Sequence, residues 1–181
     1  MKLLWRTLLL FLTILAILTV HIFVVNFLPF PFNHINIIVS LLLLLLSVTS
    51  NKKALWLALV ISYFSELFSS IPFGIGAAAI ILSLVIINWF QLNILTNRSV
   101  SMVFFSALFG ITLYRTLFVI FLTANNYFFN KGILPYKEIM ADAGWEILFS
   151  SLALFLFYLV GAKLLKRLNR AYTKSERVYG D

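Results

Sequence analysis

The chain has no cysteine among its 181 residues, and this absence excludes disulfides, thiolate metal sites and cysteine nucleophiles. Histidine is nearly absent as well, since His21 and His34 are the only two. A metal site needs about three or four converging ligands, and the sequence offers no such spaced set. We therefore expect neither a metal nor another cofactor.

Charged residues are also scarce. They make up 11% of the chain, against about 25% in a soluble domain, whereas 62% of the residues are hydrophobic. This composition predicts an all-α integral membrane protein. The net charge of +8 would suggest nucleic acid in a soluble protein, but here the bases flank apolar runs. We expect them to orient the chain in a membrane and not to bind nucleic acid.

Six apolar segments predict six transmembrane helices, of which the second and third are short. They cover residues 3–25, 35–48, 54–70, 74–95, 99–123 and 145–165. No small-residue cleavage pattern follows the first segment, so we expect it to remain as a span. Residues 1–168 then form one transmembrane domain, followed by a basic cytoplasmic tail over 169–181. Segments 35–48 and 54–70 either cross fully or form a re-entrant pair.

The basic residues predict an orientation with both termini inside, because cytoplasmic loops are enriched in lysine and arginine. The inner loops and termini would hold Lys2, Arg6, Lys52, Lys53, Arg98, Lys163, Lys166, Arg167, Arg170, Lys174 and Arg177. Lys131 and Lys137 would lie outside, and Arg115 within the membrane. An odd number of spans would place one basic terminus outside.

One acid interrupts the third apolar segment. Burying the ionised side chain of Glu66 in a bilayer costs roughly 2.5 to 3.5 kcal/mol on insertion scales, so we expect it to have a partner. Arg115 is the obvious one, because both residues lie roughly 18 to 24 Å from the inner side at about 1.5 Å per residue. In one interpretation the two side chains form a buried ion pair, or each finds its own partner, and they only fix the helix register. In the other they form a polar notch for a partner protein or a substrate group.

Other polar positions have more ordinary interpretations. Asn88 and Gln91 share a helix face, which is typical of an interfacial helix end. Residues 124–144 are expected to form a long outer connection that contains a short surface helix over 136–143. Its acids Glu138 and Asp142, together with Glu146, follow one helical stripe, which we interpret as a solvated face or as an acidic face for an outer partner.

Sequence motifs of catalysis are missing. There is no G-x-S-x-G, no H-E-x-x-H and no phosphate-binding glycine loop, and the interpretation above places only one acid within the membrane. We therefore expect a protein that is not an enzyme.

The stretch Glu66–Gly74 reads Glu-Leu-Phe-Ser-Ser-Ile-Pro-Phe-Gly. It resembles the acid-leucine-x-x-x-x-proline-leucine-glycine element of the rod shape-determining MreD family, in which the acid is usually aspartate and which here has Glu66 and Phe73 instead. Chain length, the order of apolar segments, Arg115 in the fifth span and the basic C-terminus extend the resemblance loosely over most of the chain.

This resemblance implies a multi-pass protein of the bacterial inner membrane that acts as a non-catalytic scaffold of the cell-elongation machinery. It implies an MreC-like membrane-anchored partner, with MreB, RodA and a class B penicillin-binding protein as further partners, in contact with membrane lipids. The residues expected to bind the partner are Glu66, Ser69, Pro72, Phe73, Gly74 and Arg115.

The MreD family is also similar in fold to the substrate-binding subunits of energy-coupling-factor vitamin transporters, which gives an alternative function. In that interpretation the same polar groups line a closed cavity for a small molecule. The A-x-x-x-A docking pattern expected in the first span of those subunits is not present, since Ala16 stands alone there.

Overall fold

The computed structural model describes residues 2–49, 52–69, 71–93, 100–129 and 135–178. Within these ranges the chain is all-α, with six α-helices and one short 3-10 helix over Phe32–His34. The helices are α1 (Lys2–Phe27), α2 (Ile37–Thr49), α3 (Lys52–Glu66), α4 (Ile75–Asn93), α5 (Val100–Phe129) and α6 (Tyr136–Val178).

The shortest helix, α2, is the centre of the bundle. It has 13 residues and packs against all five other helices. Its sequence is apolar on every side, and a helix of this kind is stable only when its neighbours cover it all round. Six of its residues are at most 2% exposed: Ile38, Val39, Ser40, Leu42, Leu43 and Leu46.

The other helices surround α2 in chain order. Helix α3 packs on α4, α4 on α5 and α5 on α6, while α1 lies at the edge against α2, α3 and the 3-10 helix. Among the described side chains of α1, only Leu18 is buried. The core is therefore formed mainly by α2 to α6, and α1 turns most of its apolar surface outward.

Three helices of the described chain are long and apolar enough to cross a membrane. The stretches are Ile75–Asn93 of α4, Phe104–Phe129 of α5 and Tyr136–Gly161 of α6. Shorter apolar stretches are Phe11–Phe27, Ile37–Ser47 and Leu55–Glu66, in the first three helices. The prediction that the second and third segments are short is confirmed.

The predicted connection over residues 124–144 is wrong. Helix α5 continues to Phe129, and α6 begins at Tyr136 and runs unbroken past Gly144, so there is no separate surface helix. One glycine inside a helix costs only about 1 kcal/mol relative to alanine, which the flanking helix-forming residues offset. The middle of the predicted connection, residues 130–134, lies outside the described residues.

Among the described glycines, Gly110 of α5 has the closest neighbour, a side chain of α2. A Cβ atom on Gly110 would lie 2.7 Å from Cδ2 and 3.0 Å from Cδ1 of Leu43, which is itself 1% exposed. Small residues at membrane helix contacts allow this kind of approach.

We expect Gly110→Ala to lower the free energy of unfolding by about 1 to 3 kcal/mol, because the added methyl group overpacks a closed site. Gly144→Ala is the matched control, since a Cβ atom there meets nothing within 4 Å. It should leave stability unchanged or raise it by up to about 1 kcal/mol. Thermal unfolding of both variants in detergent measures this, and equal shifts would contradict the packing described.

Candidate functional site

A buried ion pair joins α5 and α6. Nη1 of Arg115 lies 2.9 Å from Oε2 of Glu146, and the two side chains are 14% and 11% exposed. The guanidinium also lies over the ring of Phe118, 5.0 Å from its centroid. Each charge alone would be expensive to bury, so each makes the burial of the other possible.

Asn36 connects this ion pair to the start of α2. Its Nδ2 donates to Oε1 of Glu146 at 2.8 Å, and its Oδ1 accepts the N–H of Val39 at 3.1 Å, which makes it the N-cap of α2. The N–H of Asn36 donates to Oγ of Ser150 at 2.8 Å, and the hydroxyl of Ser40 donates to the Ser150 carbonyl at 3.2 Å. We call Asn36, Arg115, Glu146 and Ser150 the Arg115 cluster.

Glu66 and Arg115 do not pair with each other, because Arg115 pairs with Glu146 instead. The alternative that each of the two has its own partner is confirmed. The sequence analysis assigned Glu146 to a stripe with Glu138 and Asp142. Those two side chains are exposed, as a solvated face requires, but Glu146 is 8% exposed. Glu146 lies beside the start of α2 and is buried there. The sequence does contain one indication of this role: Glu146 is an acid that stands directly before the apolar run starting at Ile147.

Glu66 has a different role: it caps α4. It is the last residue of α3 and is 8% exposed. Its Oε2 accepts the N–H of Gly74 at 2.8 Å, and its Oε1 accepts the N–H of Ala77 at 2.7 Å. The first N–H groups of a helix have no partner within the helix and carry partial positive charge, so a carboxylate is well placed there.

The two glycines that follow Pro72 make this cap possible. Gly74 has φ +98°, a conformation that glycine adopts without a steric penalty. Gly76 leaves room for the acid, because a Cβ atom there would lie 3.2 Å from Oε1 of Glu66. One structural unit thus explains the spacing of Glu66, Gly74 and Gly76 in the sequence. In this unit the last residue of α3 caps the N-terminus of α4.

The segment between these helices presents apolar side chains outward. We call it loop 67–73. Leu67, Phe68 and Phe73 are 56%, 66% and 60% exposed. Phe73 stacks edge-on with Tyr63 of α3, with 5.3 Å between ring centroids. The loop therefore joins a buried, fully bonded acid to an exposed apolar surface.

Five of the six predicted partner-binding residues lie in or beside this loop. Ser69 is exposed, and its hydroxyl oxygen accepts the N–H of Ile71 at 3.2 Å. The carbonyl of Pro72 accepts the N–H of Ile75 at 3.5 Å, where α4 starts. Glu66 and Gly74 form the cap, and Phe73 is on the surface. Arg115, the sixth, belongs to the other cluster.

Tyr114 is buried next to Arg115 on α5. It is 6% exposed, and its ring centroid lies 6.2 Å from that of Phe118.

A second buried polar group lies nearer the other end of α2. Nε2 of Gln91 donates to the hydroxyl of Ser47 at 3.0 Å and to that of Ser106 at 2.7 Å, which ties α4 to α2 and α5. The interpretation of Gln91 as part of a plain interfacial helix end was wrong, because the side chain turns into the bundle.

Metal-ligating residues do not converge in the part of the chain that the structure describes: no group of three or more His, Asp or Glu side chains is placed to hold an ion. Comparison with known proteins adds no assignment, since no family model, no curated protein and no solved structure matches this chain. The function must therefore be inferred from the chemistry of the residues themselves.

We expect Glu146→Gln to lower the free energy of unfolding by about 3 kcal/mol, because it leaves the Arg115 guanidinium without its counter-charge. Glu138→Gln removes the same charge from an exposed position of the same helix and should cost less than about 0.5 kcal/mol. Thermal or denaturant unfolding in detergent compares the two variants.

The double variant Arg115→Met with Glu146→Leu tests whether the pair acts as a unit. Removing both charges together leaves no uncompensated ion, so its stability should exceed that of Glu146→Gln. A double variant less stable than Glu146→Gln would show that the ion pair itself, and not charge compensation, stabilises the fold.

Proposed function

We propose that this protein is a non-catalytic scaffold of the bacterial cell-elongation machinery, held in the cytoplasmic membrane by six spans with both termini inside. The observation that carries the proposal is the construction of loop 67–73, which presents Leu67, Phe68 and Phe73 from a base fixed by Glu66. An apolar surface whose base is fixed in this way loses less conformational entropy on binding than an unattached loop would, which favours a protein partner.

From the resemblance of Glu66–Gly74 to the MreD element, we propose an MreC-like membrane-anchored protein as the partner. In this proposal Phe73 makes contact, Glu66 and Gly74 hold the loop in shape, and Ser69 and Pro72 set its turns. Arg115 acts through the Arg115 cluster, which holds α5 and α6 against α2. MreB, RodA and a class B penicillin-binding protein would join through the same assembly.

The state of the buried acids supports a scaffold over an enzyme or a vitamin transporter. All four carboxylate oxygens of Glu66 and Glu146 already accept hydrogen bonds or pair with the guanidinium of Arg115. A general base needs a carboxylate oxygen within hydrogen-bond reach of its substrate, and a ligand cavity needs polar groups that face the ligand. Here each carboxylate oxygen already has a partner within the protein.

We expect Phe73→Ser to weaken binding of the MreC-like partner by at least about tenfold, as loss of a buried aromatic anchor does. Phe128→Ser, at a phenylalanine that is 78% exposed elsewhere on the surface, should leave binding unchanged. Pull-down in mild detergent measures both, and rescue of a rod-shape mutant provides the cellular test. Equal binding by the two variants would contradict the loop as the contact surface.

Glu66→Ala should also fail to rescue cell shape, whereas Glu138→Ala should succeed. Losing the cap costs about 1 to 2 kcal/mol of stability and frees the loop. Equal activity of the two variants would show that the buried acid has no part in function.

The proposed topology predicts that Tyr127→Cys is labelled by an impermeant maleimide added to whole cells and that Asn51→Cys is labelled only after lysis. The chain has no native cysteine, so each label reports one site. The reverse pattern would overturn the orientation.

A further inference from the structure

One side of the central helix α2 is left partly uncovered by its neighbours. Its partly exposed aliphatic residues fall within one arc of about 100° on the helix circumference. They are Ile37, Leu41, Leu44 and Leu45. Ser40, next to one edge of this arc, is buried and donates to the Ser150 carbonyl of α6. The uncovered side of α2 therefore begins beside α6.

The order of the helices around α2 explains this uncovered side. Helices pack at similar interaxial distances, and six equal cylinders fit around one, but α2 has five helical neighbours, in the order α1, α3, α4, α5 and α6. Each of these packs on the next, whereas no Cα atom of α1 lies within 8 Å of one of α6 in the described chain. The 3-10 helix Phe32–His34 contacts both and spans the opening at one end. We call this opening the α1–α6 groove.

Helix α6 lines one side of the groove. Ser150 is 0% exposed and binds the start of α2. Phe157 lies two turns further along the same face of α6 and is 53% exposed. The face that α6 turns toward α2 is thus covered at Ser150 and open at Phe157. Both residues belong to the membrane-length stretch Tyr136–Gly161, so the groove opens at membrane depth.

Helix α1 lines the other side. Its inward stripe repeats at i, i+3, i+4 and i+7 and consists of Ile14, Ile17, Leu18 and His21. The first three pack in or against the core, and His21 is partly exposed. Nδ1 of His21 is buried and has no hydrogen-bond partner among the described residues. Polar side chains within membranes form hydrogen bonds to neighbouring helices, so this imidazole favours a further helix beside α1.

We propose that the α1–α6 groove holds the membrane-anchoring helix of the partner, which takes the sixth position around α2 and brings a polar side chain to His21. The inference rests on the proposed function, in which the partner is a membrane-anchored protein. A lipid chain covers apolar surface as a helix does, but it offers the imidazole no hydrogen bond in the hydrocarbon region. Loop 67–73 lies between α3 and α4, so it contacts a different part of the same partner.

Photo-cross-linking in whole cells tests this position. The full chain carries p-benzoylphenylalanine in place of Phe157, Phe73 or Phe105 and is co-expressed with the MreC-like protein of the same organism. Phe105 is the matched control, because it is a phenylalanine of α5, outside the groove, that is 60% exposed. We expect the partner to be cross-linked from Phe157 and from Phe73 but not from Phe105.

The three positions distinguish the two proposals. A cross-link from Phe73 without one from Phe157 would overturn the groove as the binding position and leave the scaffold function standing. No cross-link from either would count against both. Adducts from Phe157 that contain only lipid, or a second copy of this chain, would overturn the groove proposal as well.

His21→Leu tests the polar contact. We expect roughly threefold less partner to be cross-linked from Phe157, which corresponds to an average hydrogen bond between membrane helices. His21→Gln keeps a hydrogen-bonding side chain and should retain more of the yield. Equal yields from His21→Leu and from the chain with His21 would overturn the contact with the imidazole.

Discussion

The bundle depends on the way the start of α2 is tied to α6 through the Arg115 cluster. Helix α2 spans about 20 Å, less than the roughly 30 Å of a bilayer core, so contacts with other helices must hold it in place. Its six consecutive leucines, 41–46, present the same side chain at each position and so specify a register only weakly. Hydrogen bonds of polar groups specify it more strongly, because each requires a narrow range of geometry. Asn36 and Ser40 near one end and Ser47 near the other therefore set the register.

The two buried acids show two physical solutions to one problem. Glu66 is compensated by backbone N–H groups at the start of α4, and Glu146 by a guanidinium and an amide. The first solution needs only local sequence, because acid and helix start are eleven residues or fewer apart. The second needs three helices to be in place. The first therefore fixes one connection between two helices, whereas the second holds three helices together.

Much of the fold follows from the sequence, because hydropathy reports each helix directly. The order of the six helices and the shortness of the second and third were predictable, and so was the need of Glu66 for a partner. The partner of Glu66 was not predictable. Opposite charge alone favours Arg115, and a comparison of side-chain charges takes no account of the backbone N–H groups of Gly74 and Ala77. The role of Glu146 was missed because α6 begins before its apolar stretch. Helix bounds drawn from hydropathy therefore placed this acid at the edge of the predicted helix. The packing role of Gly110 could not be predicted from the sequence, because it depends on Leu43 lying opposite.

The position of α2 in the chain has a consequence for biogenesis. Asn36 is bonded to a residue 110 positions later, which leaves the ribosome long after it. Until then the start of α2 lacks its polar partners on α6, whereas Ser47 near its other end already has its partner Gln91 on α4. A chain that ends before α6 therefore lacks the polar bonds that fix the start of its central helix.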